Sequence, residues 1–145
     1  MYLSRINIQN FKNIREARID FSPALNCISG DNGEGKTNLL DAIFYLSMTK
    51  SYFGSSEQFT RTTGERTMVI SGEYDAGDGT ATTVAVMLDG DSKQVRCNKK
   101  NYTKFSDHIG KFPIVMISPS DTSLINESAD ARLRFMNMML TPMSP

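Results

Sequence analysis

The feature that most constrains this chain is the run Gly-Asp-Asn-Gly-Glu-Gly-Lys-Thr at residues 30–37, which matches the pattern Gly-x-x-x-x-Gly-Lys-Thr. The apolar run 25–28 before it predicts a short strand, and residues 38–46 after it have the apolar spacing of a helix. In this position a loop can bend around phosphate groups, because the strand aims it and the helix presents unpaired N–H groups and its positive dipole end. The alternative, a glycine-rich turn that binds nothing, is disfavoured because all eight positions and both flanks agree.

Each position of this phosphate loop, residues 30–37, has a predicted role. The glycines permit positive φ angles and remove Cβ atoms that would block a phosphate group. Lys36 is predicted to reach the β- and γ-phosphates, and the Thr37 hydroxyl to bind Mg²⁺. The side chains of Asp31 and Glu34 can face water, because the main chain faces the phosphate. The predicted nucleotide-binding residues are Gly30, Asp31, Asn32, Gly33, Glu34, Gly35, Lys36 and Thr37.

Length and charge limit the classes of protein that this chain can belong to. Its 145 residues suffice for one domain or one lobe of a larger one. The formal net charge is zero, so any attraction to nucleic acid or membrane must be local. The N-terminus begins as an alternating strand without a signal peptide, and no apolar run approaches the ~20 residues of a membrane span. We therefore expect a cytoplasmic protein with no membrane segment.

Periodicity predicts an α/β fold whose parts follow one another along the chain. We expect a mixed sheet, with two strands, the phosphate loop and a helix within residues 1–48. An antiparallel meander is predicted for 66–104, where Asp-Gly and Gly-Asp pairs supply tight turns. The continuous apolar run 112–118 predicts a central strand buried on both faces. A helical region is predicted for 120–141, after a capping sequence at its start.

Asp89 allows a second interpretation of the chemistry. It ends the apolar run 84–88, as a Mg²⁺-binding acid does in many phosphate-loop enzymes, and a self-contained phosphotransferase would use it in that way. The same residue opens an Asp-Gly hairpin turn, and the strand before it alternates as a half-exposed antiparallel strand does. We favour the hairpin, and keep the phosphotransferase as the alternative function.

A local excess of positive charge lies in the basic segment, residues 93–111. This segment contains six lysine or arginine residues and a single acidic residue, Asp107. Such a segment can bind a DNA backbone, with Tyr102 and Phe105 interleaved among the charges. Lysines around a hairpin are also common as a solvated edge that discourages strand pairing, so both interpretations stay open. The positive residues are Lys93, Arg96, Lys99, Lys100, Lys104 and Lys111.

Several segments beyond the phosphate loop form a recognisable series along nearly the whole chain. They are residues 10–14, 20–23, 30–47, 106–110, 117–121 and 132–136. An N-terminal strand ending in Asn-Phe-Lys-Asn-Ile, the phosphate loop with its helix, and the antiparallel strands that follow resemble the opening of the SMC-like ABC ATPases. Within that group the series is similar to the RecF family of DNA replication and repair proteins. The resemblance implies an ABC-type head lobe of the P-loop NTPase class.

The resemblance also implies a function. It implies ATP and Mg²⁺ bound at the phosphate loop, ATP-dependent binding to gapped DNA, an ATP-dependent homodimer, and action with RecR and RecO in recombinase loading and the response to DNA damage. It places Lys12 and Asn13 near the nucleotide, a basic residue at Arg61, and a segment that senses the γ-phosphate at 118–121.

The family's signature motif and acidic catalytic residues lie in a later part of its longer chain. We therefore expect this chain to correspond to the N-terminal part of the head, and to bind nucleotide without turning it over. A further alternative is that it binds no nucleotide alone and acts only as a scaffold.

Overall fold

Alternating apolar and polar residues build a six-stranded antiparallel sheet. The computed structural model describes residues 1–54, 56–122 and 129–140. The strands are β1 Tyr2–Phe11, β2 Ile14–Asp20, β3 Thr67–Asp75, β4 Ala81–Asp89, β5 Ser92–Cys97 and β6 Lys100–Asn101. Their order across the sheet is β2-β1-β3-β4-β5-β6, and each neighbouring pair is antiparallel. The strands β2 and β6 are therefore the two edges.

The helix α1, Lys36–Met48, covers one face of this sheet. Side chains at every second strand position point toward it and are buried, among them Ile6, Ile70 and Val86. Burying one such aliphatic side chain stabilises the fold by about 2 kcal/mol. Gly72 lets the helix lie close to β3, because a Cβ atom there would come 2.4 Å from Leu46 Cδ2.

Tight turns join the neighbouring strands. Lys12 and Asn13 alone connect β1 to β2, with Phe11 paired to Ile14 and Lys12 at a φ of 51°. Asn98 and Lys99 join β5 to β6, and both have positive φ angles. Two-residue hairpins with positive φ angles match the right-handed twist of the strands that they join. The predicted α/β fold with an antiparallel meander is confirmed.

Two predicted strands are wrong. Residues 25–28 and 112–118 are not assigned as strands, and no strand in the described ranges pairs with either segment. Leu25, Val115 and Ile117 are 89%, 71% and 84% exposed, whereas the sequence predicted a strand buried on both faces at 112–118. Apolar runs of this kind are typical of parallel strands, which need hydrogen-bonding neighbours on both sides to become buried. All of the described strands belong to the antiparallel sheet, so neither segment has a strand to pair with in the described ranges.

The segment after β6 returns to α1 through aromatic contacts. His108 is fully buried, and its Nε2 lies 2.8 Å from the Leu46 carbonyl oxygen of α1, which fixes that nitrogen as the donor. The ring of Phe112 lies 4.4 Å from that of Tyr74 on β3 and 5.5 Å from that of His108. Among the residues that the structure describes, the Nδ1 atom of His108 is left buried without a hydrogen-bond partner.

The last described elements are the 3₁₀ turn Pro119–Thr122 and the helix α2, Ala129–Leu140. Apart from Pro119, they fall within the helical region predicted for 120–141, of which residues 123–128 and 141 lie outside the described residues. No helix in the described part of the chain is long and apolar enough to cross a bilayer.

Candidate nucleotide site

The start of α1 lacks the usual polar cap. Its N-cap residue is Gly35, in the left-handed region with a φ of 100°, and glycine has no side chain that could cap the helix. The first turn contains no acidic residue, and the first hydrogen bond of the helical pattern runs from Leu39 N to Gly35 O at 2.8 Å. The N–H groups of Lys36, Thr37 and Asn38 therefore have no acceptor within the helix. Most helices satisfy such groups with a Ser, Thr, Asp or Asn cap. This helix start instead suits an external anion.

The phosphate loop curls in front of this helix start. Gly30 and Gly33 have φ angles of 151° and 88°, and a Cβ atom at either would meet no other atom within 4 Å. The Lys36 ammonium group donates to the Gly30 and Asp31 carbonyl oxygens, each at 2.7 Å, and so spans the loop. A long bond of 3.4 Å from Glu34 N to Asp31 O crosses the same ring of main chain. The loop is thus open to solvent, and the Lys36 ammonium group lies within it.

A side chain from the β1–β2 turn supports the loop from behind. The Asn13 amide nitrogen donates to the Gly33 carbonyl oxygen at 3.1 Å, and its oxygen accepts from the Asn38 amide at 2.7 Å. A Cβ atom on Gly35 would lie 2.9 Å from the Asn13 oxygen. Glycine at position 35 is therefore required by the backbone angle and by this close approach.

A cleft of about 510 Å³ lies between β2 and the phosphate loop. Its walls come from residues 13–17 and 19, from residues 28–29 and 34–36, and from Leu39. Ile14, Ile28 and Leu39 give it apolar surface, and Lys36 lies beside it. Small-molecule sites combine apolar walls with a few placed polar groups in this way, in volumes of roughly 300–1,000 Å³.

A buried carboxylate lies on α1 behind the loop. Asp41 is fully buried and forms an ion pair with Lys12. It also accepts hydrogen bonds from Ser51 Oγ at 2.6 Å and from Tyr52 N at 2.7 Å. Lys12 is therefore bound to a carboxylate, whereas the family resemblance implied a contact with nucleotide. Sequence reasoning missed this cluster. The signal was that Asp41 lies three residues before Phe44, on the same apolar side of the helix, where a carboxylate needs a partner when it is buried.

The predicted γ-phosphate-sensing segment 118–121 is connected to the same cluster. The Tyr52 hydroxyl donates to Asp121 Oδ1 at 2.7 Å, and Ser118 N donates to Asp121 Oδ2 at 2.5 Å. These hydrogen bonds, that from Tyr52 first, lower the pKa of Asp121 below its ordinary value. Burial, and then the bond to Asp121, raise the pKa of Tyr52. At neutral pH Asp121 is therefore a carboxylate and Tyr52 a neutral hydroxyl that donates to it.

Asp89 lies at the β4–β5 hairpin and pairs with Arg66, from Nε to Oδ1 at 2.7 Å. Asp89 is absent from the described residues that line the cleft. Arg61 donates to the carbonyl oxygens of Gly90, at 2.5 Å, and Arg66, at 3.2 Å, so it stabilises the same hairpin. These contacts favour the hairpin interpretation of Asp89 over a role in magnesium binding.

The basic segment does not form one continuous charged surface. The Lys93 side chain is only 12% exposed, pairs with Glu57 and donates to the Thr49 carbonyl oxygen at 2.5 Å. It holds the loop after α1 against β5. Lys99, Lys100 and Lys104 remain exposed around the β5–β6 hairpin. Lys93 is therefore not available to a ligand of the basic segment, whereas these three lysines are.

Residues 1–130 match the family described as the AAA ATPase domain. The chain belongs to this family. Its relatives include the DNA replication and repair protein RecF of Bacteroides thetaiotaomicron, 44% identical over 142 residues, and that of Phocaeicola vulgatus, 46% identical over 143 residues. Each alignment covers 97% of this chain and 38% of the relative. The resemblance to RecF that the sequence predicted is confirmed.

Two solved structures of the recombination mediator protein RecF in the RecFOR pathway share this fold. The one with ATP superposes with a TM-score of 0.88 at 27% identity, over 97% of this chain and 39% of that one. The one with ATPγS gives a TM-score of 0.92 at 26% identity, over 99% of this chain and 39% of that one. This chain thus spans about two fifths of the length of the proteins that it matches.

Proposed function

We propose that this chain binds ATP through the phosphate loop, as part of a RecF-type DNA replication and repair protein. The observation that carries the proposal is the uncapped start of α1 behind a glycine loop that holds the Lys36 ammonium group. A triphosphate supplies the acceptors that the free N–H groups at this helix start lack, and its charge is favoured by the helix dipole. The similarity to RecF structures with ATP and ATPγS supports the same ligand.

The main chain does most of the binding in this proposal. Gly30, Asp31, Asn32, Gly33, Glu34 and Gly35 contribute backbone groups to the cradle. Lys36 exchanges two neutral carbonyl partners for the β- and γ-phosphates, and such charge-assisted hydrogen bonds are stronger. The cleft beside β2 receives the nucleoside.

Thr37 is the group that this chain offers to Mg²⁺. It is exposed in the first turn of α1, where its hydroxyl can reach a cation on the β- and γ-phosphates. In the described ranges no three His, Cys, Asp or Glu side chains come together as a metal site. A single hydroxyl fits Mg²⁺, because this ion keeps several waters and binds largely through substrate phosphates. The bound cation would neutralise phosphate charge.

The wider activity follows from the same proposal. ATP bound here shifts the longer protein from monomer toward homodimer. The homodimer binds gapped DNA and acts with RecR and RecO. Hydrolysis then needs the acidic residues that the family carries elsewhere, so the 145-residue chain binds without turnover. We propose a cytoplasmic location for a protein that acts on DNA in this way.

Calorimetric titration of the 145-residue chain with Mg-ATP tests the nucleotide site. Losing the Lys36 ammonium removes charged hydrogen bonds of about 1.5–3 kcal/mol, so Lys36→Ala should weaken binding roughly 10- to 100-fold. Thr37→Ala should weaken binding in Mg²⁺ more than in EDTA. Asp89→Asn is the control and should change nothing. Unchanged affinity in Lys36→Ala would refute the proposal, and a loss in Asp89→Asn would favour the phosphotransferase.

Binding to a gapped DNA duplex at several salt concentrations tests the exposed hairpin. If Lys99 and Lys100 each neutralise one phosphate, replacing both with Gln should reduce the slope of log K against log salt by about 1.8. Arg66→Gln, at a different hairpin, is the control and should leave the slope unchanged. An unchanged slope in the double variant would identify the β5–β6 lysines as a solvated edge.

A further inference from the structure

The amide of Asn13 is fixed at both ends. Its nitrogen donates to Gly33 O at 3.1 Å, and its oxygen accepts from Asn38 Nδ2 at 2.7 Å. Because the Gly33 carbonyl oxygen can only accept, the Asn13 atom that faces it must be the amide nitrogen, and the orientation of the Asn13 amide is determined. Asn13 therefore presents a donor, and not an acceptor, to the back of the phosphate loop.

The bond to Gly33 controls the direction of one peptide group in the loop. In a trans peptide, the carbonyl of Gly33 and the N–H of Glu34 point in opposite directions. With the carbonyl held outward by Asn13, the Glu34 N–H points across the loop to Asp31 O, at 3.4 Å. A bond of that length is weak and is easily exchanged for a phosphate oxygen.

A flip of this peptide group changes the ψ angle of Gly33 and the φ angle of Glu34. Gly33, at a φ of 88°, has no Cβ atom that would restrict its side of this rotation. If the peptide flipped, a carbonyl oxygen would replace the N–H group on the inner side of the loop. That oxygen would repel a phosphate. The loop thus needs an external group that selects one orientation.

The turn that carries Asn13 is well suited to this role. Asn13 lies in the two-residue connection between Phe11 and Ile14, which pair with each other. Lys12, its neighbour, is tied to the buried Asp41 carboxylate of α1. Asn13 is therefore attached to both the sheet and the helix, and it does not depend on the loop for its own position.

We propose that Asn13 is a positioning residue for the phosphate loop, which keeps the Glu34 N–H turned inward for a phosphate group. This inference rests on the proposed ATP binding. It differs from a direct contact with nucleotide, because Asn13 acts on the triphosphate through the Gly33 peptide. The role therefore concerns any triphosphate and is independent of the base.

The test compares two probes, inorganic tripolyphosphate and ATP, each with Mg²⁺ in calorimetric titrations of the 145-residue chain. Asn13→Ala should weaken both by the same factor, roughly tenfold for one lost orienting hydrogen bond. The matched control is Asn10→Ala, since the Asn10 amide donates to Thr67 O at 3.1 Å in the sheet. It should leave both affinities unchanged. In ¹⁵N spectra, the Glu34 amide signal should shift in Asn13→Ala and not in the control.

Asn38→Ala keeps the inference testable if Asn13→Ala does not fold. It frees the Asn13 amide without changing the turn, and should weaken both probes roughly threefold. The double variant should bind no more weakly than Asn13→Ala. Loss of ATP affinity alone would assign Asn13 to the nucleoside, and unchanged affinities would likewise overturn the inference. If the wild-type chain binds neither probe, the proposed function fails; if Lys36→Ala weakens both probes and Asn13→Ala neither, this inference alone fails.

Discussion

Replacing Lys12 with methionine tests whether charge holds the β1–β2 turn against α1. The change leaves the Asp41 carboxylate fully buried with two neutral donors, Ser51 Oγ and Tyr52 N. Removing one partner of a buried ion pair costs about 3–5 kcal/mol. Because the Lys12 side chain is 17% exposed and two donors remain, we expect the lower end, about 3 kcal/mol.

The reverse change should cost less. Asp41→Asn keeps the shape, and the Lys12 ammonium can turn toward water, so we expect about 1–2 kcal/mol from the altered hydrogen bonds. The double variant Lys12→Met with Asp41→Asn no longer buries an unpaired charge. Its cost should fall short of the sum of the single variants by about 2 kcal/mol, as coupled neighbours do.

Urea unfolding at pH 7, followed by circular dichroism, measures these differences in the free energy of unfolding, and thermal unfolding measures the corresponding changes in Tm. At this chain length 1 kcal/mol corresponds to roughly 3 °C in Tm, so Lys12→Met should lower Tm by about 9 °C. The control is Asp89→Asn, whose pair with Arg66 has side chains 61% and 81% exposed and should cost under about 1 kcal/mol. If Lys12→Met costs no more than this control, the turn is not held by charge.

Three further predictions concern other parts of the fold. Burial lowers the pKa of His108, the only histidine of the sequence. Its contribution to stability should therefore be complete above about pH 6.5 and decline as the pH falls below that value. His108→Gln should flatten the pH dependence of the free energy of urea unfolding between about pH 5 and 7. Lysine at both Val115 and Ile117 should reduce the fluorescence of bound ANS and change the free energy of unfolding by under about 0.5 kcal/mol, and a larger loss would mean that these side chains are packed. Gly35→Ala should abolish tripolyphosphate binding, whereas Gly64→Ala, at a φ of 86° with open space around it, should cost about 1–2 kcal/mol of stability and leave binding intact.

Local patterns were sufficient for the antiparallel sheet and for the helix that follows the phosphate loop. Strand alternation, Asp-Gly turns and the helical spacing after residue 37 depend on neighbours in sequence, and each places its element. The predicted strands at 25–28 and 112–118 failed for the opposite reason. Their burial depends on pairing with other strands, and an apolar run alone carries no information about its partner.

Side-chain roles at the site divide in the same way. The pattern of the loop itself predicts the glycines and Lys36, whereas the contacts of Asn13 with Gly33 and of Lys12 with Asp41 join residues 20 and 29 positions apart. Lys93 shows the same limit. Its charge was evident in the sequence, but its position under the loop after α1 follows only from the sheet register.

The cleft beside the phosphate loop has a sheet edge as one wall, because β2 pairs with β1 and with no other strand of the described ranges. Along such an edge, alternate residues direct main-chain donors and acceptors outward, and these groups are identical for nearly every amino acid. Main-chain hydrogen bonds between a ligand and this wall therefore persist through alanine scanning of residues 14–20, which changes only side-chain contacts. Proline is the informative replacement there, since it alone removes an N–H group from the edge.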